Sequence, residues 1–199
     1  MRFAQRKQMR VLVVDESPER ADILHEGLRR AGYEVSASLS SPVAMLSTIE
    51  QLSPDVIVIG TESPGREVLE HLVVLTRHTP RPVVMFSSDG AQETIREALR
   101  AGVSAYVVDG MDPNRIRAII DVAVAQFEDF QRLREELAQA NLKLAERKLI
   151  ERAKGLLIKH RNLDEQAAYA LLRKFAMDRK LRLGEVAQQL IDAADLLGA

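Results

Sequence analysis

MRVLVVDESPERADILHEGLRRAGYEV, residues 9–35, decides the fold. Val11 to Val14 form an unbroken apolar run, the kind that suits a strand covered on both faces. Asp15 and Glu16 end that run, a helical pattern fills residues 18–31, and Gly32 stands where a helix C-terminal glycine belongs. YEVSAS (33–38) then reads as a second strand. The unit recurs outward from there. VIVI (56–59), PVVMF (82–86) and AYVV (105–108) are further apolar runs, and helical patterns lie at about 42–52, 65–77, 91–101 (closed by Gly102) and from 112 onward. Five alternating strand and helix units predict an α/β, flavodoxin-like domain over residues 10–122, with residues 1–9 as a tail. In such a sheet, functional groups collect just past the carboxyl ends of the strands.

A chain of 199 residues, 46% hydrophobic, can bury one medium core and a small second one. The absence of cysteine excludes disulfides and thiolate metal sites. MRFAQRKQMR is basic, but the apolar run after it is too short for a signal peptide or a membrane span. A cytoplasmic protein with no membrane attachment is therefore expected. No nucleophile and base set or phosphate-cradling glycine loop is visible, so neither an enzyme nor a bound cofactor is expected.

At the strand ends stand Asp15 and Glu16, then Gly60 with Thr61, Glu62, Ser63 and Pro64, then Ser87 and Ser88, then Asp109 and Gly110. This arrangement resembles the receiver domain of two-component response regulators. The resemblance implies that Asp15 and Glu16 match a magnesium-holding pair, Ser87 a hydroxyl position and Tyr106 an aromatic switch position. Two positions depart from the pattern: Gly60 stands where that family has its phosphoacceptor aspartate, and Asp109 where it has a lysine. Glycine has no oxygen to phosphorylate, and an aspartate cannot neutralise a phosphoryl group as an ammonium does. Glu62 lies two residues too far along to replace the acceptor directly. Asp15, Glu16 and Asp109 carry oxygens that suit a hard cation such as magnesium or calcium. The plainer reading is three solvated carboxylates whose repulsion raises one or more of their pKa values. A degenerate receiver, kept as a docking and dimerisation platform, is the expectation.

From about 116 the strand and helix alternation stops. Ile116, Ile119, Ala123, Phe130, Leu133, Leu137, Ala140 and Leu144 recur at spacings of three and four, with Gln126 in the one polar place. That predicts a coiled-coil linker over residues 123–144 and a homodimer seam at Phe130, Leu133, Leu137 and Leu144.

Residues 145–199 carry three short helical patterns and no strand pattern, which predicts a three-helix unit. The first apolar face is Leu149, Ile150, Ala153, Leu156 and Leu157; the second is Ala168, Leu171, Leu172 and Phe175; the third is Val186, Ala187, Leu190, Ile191 and Leu197. Between Arg147 and Arg182 stand eleven basic residues against four acidic ones, in a chain whose net charge is -1. Such a patch attracts phosphate backbones. Helical spacing puts Lys148, Arg152, Gly155 and Lys159 on the face opposite the apolar stripe, with Lys154 and Arg161 flanking the stripe. Arg173 and Lys174 belong to the second helix. The candidate RNA-binding set is thus Arg152, Lys154, Gly155, Lys159, Arg161, Arg173 and Lys174, with Lys154 at a base edge. Aromatic residues for base stacking are scarce: Tyr169 and Phe175 are the only candidates and Phe175 reads as core, so basic and amide side chains must do most of the reading.

ERKLIERAKGLLIKHRNLDEQAAYALLRKFAMDRKLRLGEVAQQLI is similar to the ANTAR domain of transcription antiterminators, through Ala153-Lys154-Gly155, LDEQAA and LLRKFA. The resemblance implies binding to tandem hairpin loops in a nascent leader RNA, which keeps a terminator stem from forming. The domain order, with TESPGREVLEHL and AGVSAYVVDG, resembles the NasT regulators of nitrate and nitrite assimilation. The aliphatic amidase regulator is the nearest rival. For the NasT group the resemblance implies control by a nitrate-sensing repressor protein that releases the regulator on binding ligand. A DNA-binding response regulator and a protein-interaction adaptor remain the other readings. The first would need a recognition helix, and the second would not need the basic surplus.

Overall fold

The computed structural model describes residues 8–109 and 112–196, so Gly110 and Leu197, both named above, lie outside the described residues, as does most of the 1–9 tail. The chain divides into two compact units, residues 1–131 and 132–199. In the first, strands β1 (Arg10–Asp15), β2 (Glu34–Leu39), β3 (Val56–Thr61), β4 (Val83–Ser87) and β5 (Ala105–Val108) form one sheet in the order β2-β1-β3-β4-β5. Every pairing is parallel. Helices α1 (Pro18–Arg30), α2 (Met45–Leu52, after a 3-10 turn at Pro42–Ala44), α3 (Arg66–His78) and α4 (Gln92–Ala101) form the crossovers.

The runs that predicted the strands are buried on both faces because their alternate side chains feed two cores. Leu12, Val14, Ile57, Ile59, Val83 and Met85 face α2, α3 and α4, where Met45, Ile49, Leu72, Leu75 and Ala98 meet them. Val11, Val13, Val56, Val58, Val84 and Phe86 face the other way, onto Leu24 and Leu28 of α1 and onto Ile116, Ile120 and Ala123. Gly32 and Gly102 both take the left-handed backbone that closes a helix.

Helix α5 (Ile116–Arg161) is continuous for 46 residues and joins what the sequence reads as three pieces: the last receiver helix, the linker and the first C-terminal helix. Ile116 and Ala123 are therefore receiver core rather than coiled-coil seam, which corrects the start of the expected stripe. In the second unit, α5 is joined by α6 (Glu165–Arg179) and α7 (Leu183–Leu196). Asp164 caps α6, its carboxylate accepting from the Ala167 N–H at 2.7 Å. The core is Ala153 and Leu157 of α5, Ala168, Leu172 and Ala176 of α6, and Val186, Ala187 and Ile191 of α7.

Candidate functional site

The parallel register sets Asp15 beside Gly60, Thr61 beside Ser87, and Ser87 beside Val108, so the strand ends form one mouth. Asp15 is buried there, and its carboxylate is fully engaged. Arg20, one turn into α1, donates from Nε to Oδ2 at 2.9 Å and from Nη2 to Oδ1 at 2.8 Å; the Ser17 N–H donates to Oδ1 at 2.8 Å. The hydrogen bond to Asp15 raises the Arg20 pKa above its already high value; burial opposes this, and the charges of Asp15, Glu62 and Glu16 add to it.

Glycine at position 60 is what makes room for this pair. A Cβ there would collide with Asp15 Oδ2 and lie 2.8 Å from its Cγ, so the Asp15 carboxylate fills space that a side chain on β3 would claim. The expected cluster of three solvated, mutually repelling carboxylates does not form. Asp15 is sealed against a cation, while Glu16 and Asp109 are exposed, and Asp109 has a left-handed φ of 48°. Among the described residues no group of three or more acidic, histidine or cysteine side chains is placed to hold a metal. Nor do these residues fit the magnesium ion of a receiver, because a guanidinium already occupies both oxygens of Asp15.

Ser87 and Tyr106 are committed too. Ser87 Oγ donates to the Glu62 carbonyl at 2.9 Å and accepts from the Asp89 N–H at 3.1 Å, while Tyr106 donates to the Asp89 carbonyl at 2.8 Å. The Asp89 carboxylate accepts from the Ala91 N–H at 2.9 Å, Ser63 Oγ at 2.7 Å and Thr94 Oγ1 at 3.0 Å. These bonds, the one from Ala91 foremost, hold its pKa below the usual carboxylate range. Sequence reasoning missed Arg20 and Asp89. The signal for Arg20 was available: it lies five residues past Asp15, where the first turn of α1 folds back over the strand end.

The C-terminal unit treats its charges differently. Lys159, Arg161, Arg173 and Lys174 are exposed, and no carboxylate pairs with them among the described residues. Gly155 is exposed, and a Cβ there would meet nothing within 4 Å, so the helix surface around it is open. Arg152 bonds Asp195 of α7 at 2.9 Å, with both side chains more than half exposed. Lys154 is not on this surface. It is 7% exposed, and its Nζ is held by Glu165 at 2.8 Å and Glu151 at 2.9 Å. Those two bonds, the one to Glu165 first, raise the Lys154 pKa, and Lys154 in turn lowers that of Glu165. Its spacing beside the apolar stripe was read correctly, but the ammonium turns to the start of α6 and ties α5 to it. Phe175 departs from its reading as core, since it is 40% exposed, and Tyr169 is also exposed.

Phe130, Leu133, Leu137 and Leu144 are each more than half exposed on α5. An apolar stripe of this kind lowers its free energy by finding cover.

Residues 11–121 match the response regulator receiver domain and residues 138–191 match the ANTAR domain. The transcriptional regulatory protein PdtaR of Mycobacterium tuberculosis is 29% identical over 184 residues, covering 92% of this chain and 89% of that protein. The nitrate regulatory protein of Klebsiella oxytoca is 36% identical over 75 residues, covering 38% of this chain and 19% of its own length. A CheY-like receiver domain protein from Methanospirillum hungatei has the same fold, with a TM-score of 0.54 and 22% identity over 62% of this chain and 98% of that one. None of the described helices is long and apolar enough to cross a membrane.

Proposed function

The chain belongs to the response regulator receiver family and carries an ANTAR domain toward its C-terminal end; from that premise we propose that it regulates transcription by antitermination, binding tandem hairpin loops of a nascent leader RNA. The observation that carries this reading is the run of exposed, unpaired cations on α5 and α6 inside the ANTAR segment. Arg152, Lys159, Arg161, Arg173 and Lys174 contact phosphates, Gly155 gives the RNA backbone close access, and Lys154 positions the two helices that present them. Arg152 can exchange Asp195 for a phosphate at little cost, because an exposed ion pair contributes little.

Control comes from a partner protein that senses nitrate rather than from phosphorylation. Among the described residues, Gly60 removes the usual phosphoacceptor and Arg20 occupies the Asp15 carboxylate that would hold the cation. The nitrate assignment rests on the likeness to the nitrate regulatory protein and on the NasT-like domain order. Two chains pair through Phe130, Leu133, Leu137 and Leu144, which joins two RNA-binding domains in one cytoplasmic molecule.

Affinity measured from low to high salt, on tandem RNA hairpins and on duplex DNA, tests the reading. Tight binding to the hairpins, with log affinity falling by about 0.7 per log unit of salt for each neutralised loop phosphate, is expected. Preference for duplex DNA would make the chain a DNA-binding regulator, and indifference to both would make it an adaptor.

A further inference from the structure

Between α6 and α7 the C-terminal unit leaves an open cavity of about 240 Å³. Leu157, Leu172, Val186, Leu190 and Ala193 line its aliphatic part, and exposed Phe175, Arg179 and Gln189 complete the lining. Phe175, three residues past Leu172 and seven past Ala168, borders the buried stripe of α6 and leaves 40% of its surface in water. Arg179, one turn on, holds its guanidinium 5.8 Å from the ring centroid. No carboxylate pairs with Arg179 among the described residues, so its other face and most of its donors remain open.

A planar ring, a stacked guanidinium, a side-chain amide and an apolar floor together select a particular ligand. A phosphate would gain nothing from Leu157, Leu172 and Val186, and an aliphatic peptide side chain would leave Arg179 and Gln189 unused. A nucleobase uses all of them, since its faces stack on an aromatic ring or a guanidinium plane and its edge accepts and donates hydrogen bonds. The cavity is smaller than ordinary ligand pockets, which start at about 300 Å³, so it suits a single ring system and not a helix. Lys174, Lys180 and Arg182 are exposed and close in sequence to Phe175 and Arg179, so the same part of the domain also carries positive charge for a phosphate backbone.

We propose that this cavity takes one unstacked base of an RNA hairpin loop, stacked on Phe175 and Arg179 and read along its edge by Gln189. The inference rests on the RNA-binding reading above and adds to it a site of base identity, separate from the phosphate-contacting cations.

The test starts from a stem-loop RNA library randomised in the loop and selected on the full-length chain. The selected RNA is then remade with an abasic site at each loop position in turn. One abasic position should weaken wild-type binding by about ten- to a hundred-fold, the range of base–aromatic stacking. Phe175→Leu, which keeps apolar bulk but removes the ring, should cost a similar factor on the intact loop and nothing more on that abasic RNA. Gln189→Ala, on the exposed rim and harmless to the core, should relax base preference at the same position and leave the salt slope unchanged. Phe175→Tyr should bind as wild type. If Phe175→Leu and Gln189→Ala both bind the selected loop normally while Lys159→Ala and Arg173→Ala do not, the pocket is overturned and RNA binding stands. If selection enriches no loop, the RNA-binding reading fails and the pocket with it. If Phe175→Leu spares RNA but abolishes association with a protein, the cavity is a protein site and the proposal is wrong.

Discussion

The receiver mouth and the C-terminal domain spend their charges in opposite ways. At the mouth, Asp15 is held by Arg20, Ser87 by the Glu62 carbonyl and Asp89 by three donors, so the groups that would answer a phosphoryl signal are already satisfied within the chain. Among the described residues of the C-terminal unit, the buried cation Lys154 is paired, whereas exposed Lys159, Arg161, Arg173 and Lys174 have no carboxylate partner. A site whose bonds close on themselves is fixed in one arrangement, whereas a surface with unpaired cations gains free energy only from an outside anion. On the function proposed above, the receiver serves as a scaffold and response falls to surfaces that need a second molecule.

The largest expected effect falls on the open apolar stripe. The wild type should scatter as a dimer, and Leu137→Lys with Leu144→Lys should give a monomer. Losing the second binding head should then cost about a hundred-fold or more on tandem hairpins and far less on a single hairpin. Unchanged mass would show that the stripe is covered in some other way.

Next in size is the closed pair. Arg20→Met leaves Asp15 buried without its cation and should destabilise the receiver by about 3 kcal/mol in urea unfolding. RNA salt dependence should not change, because Arg20 belongs to no phosphate contact. Incubation with acetyl phosphate and magnesium should add no phosphoryl group to the wild type. Gly60→Asp should remain a poor acceptor, since its side chain enters the space of Asp15 and Asp109 repels the incoming dianion. Ready phosphorylation of Gly60→Asp would mean that Arg20 yields to magnesium, and the contrast between the two regions would weaken.

How far the sequence carries differs between the same two regions. The sheet was legible because unbroken runs such as Val11–Val14 and Val56–Ile59 leave a strand few alternatives once helical patterns separate them. The basic surface was legible because residue type and helical spacing are enough to place Lys159 or Arg173 outside a core. The closed pairs were not. Whether Asp15 meets water, a metal or Arg20 depends on how the first turn of α1 returns over β1, and on the missing Cβ of Gly60, a distance of ångströms that spacing does not encode. Lys154 failed for the same reason, because its partner Glu165 lies on another helix. Phe175 misled because its spacing, seven residues past Ala168 and three past Leu172, does put it on the α6 face that the core uses, and how far α7 covers that face is not encoded in spacing.

Smaller effects should follow from single cations. Lys159→Ala and Arg173→Ala should each weaken every RNA alike, by less than about ten-fold or 1.4 kcal/mol, and flatten the salt slope by about 0.7. Lys154→Met should instead leave the slope intact and loosen the C-terminal fold, which thermal melting would detect. A flattened slope in Lys154→Met would return that residue to the phosphate surface.

The smallest expected effect tests the closed network at the mouth through pH. The Ala91 N–H, Ser63 and Thr94 hold the Asp89 pKa below its unfolded value. The folded state therefore favours the ionised carboxylate, and the stability this contributes is present above the unfolded value of about 3.9 and lost as pH falls through the lower folded value. Asp89→Asn removes that titration while keeping one acceptor oxygen for the same donors. Wild type should be more stable than Asp89→Asn in urea at pH 7, and the margin should hold steady down to about pH 5 and shrink below about pH 4. Because Asp89 lies far from the basic surface in sequence and in role, RNA affinity at pH 7 should match wild type. A margin that persists undiminished at pH 3 would mean that the carboxylate bonds contribute no linkage, and that the β4–α4 turn is held by Tyr106 and Ser87 alone.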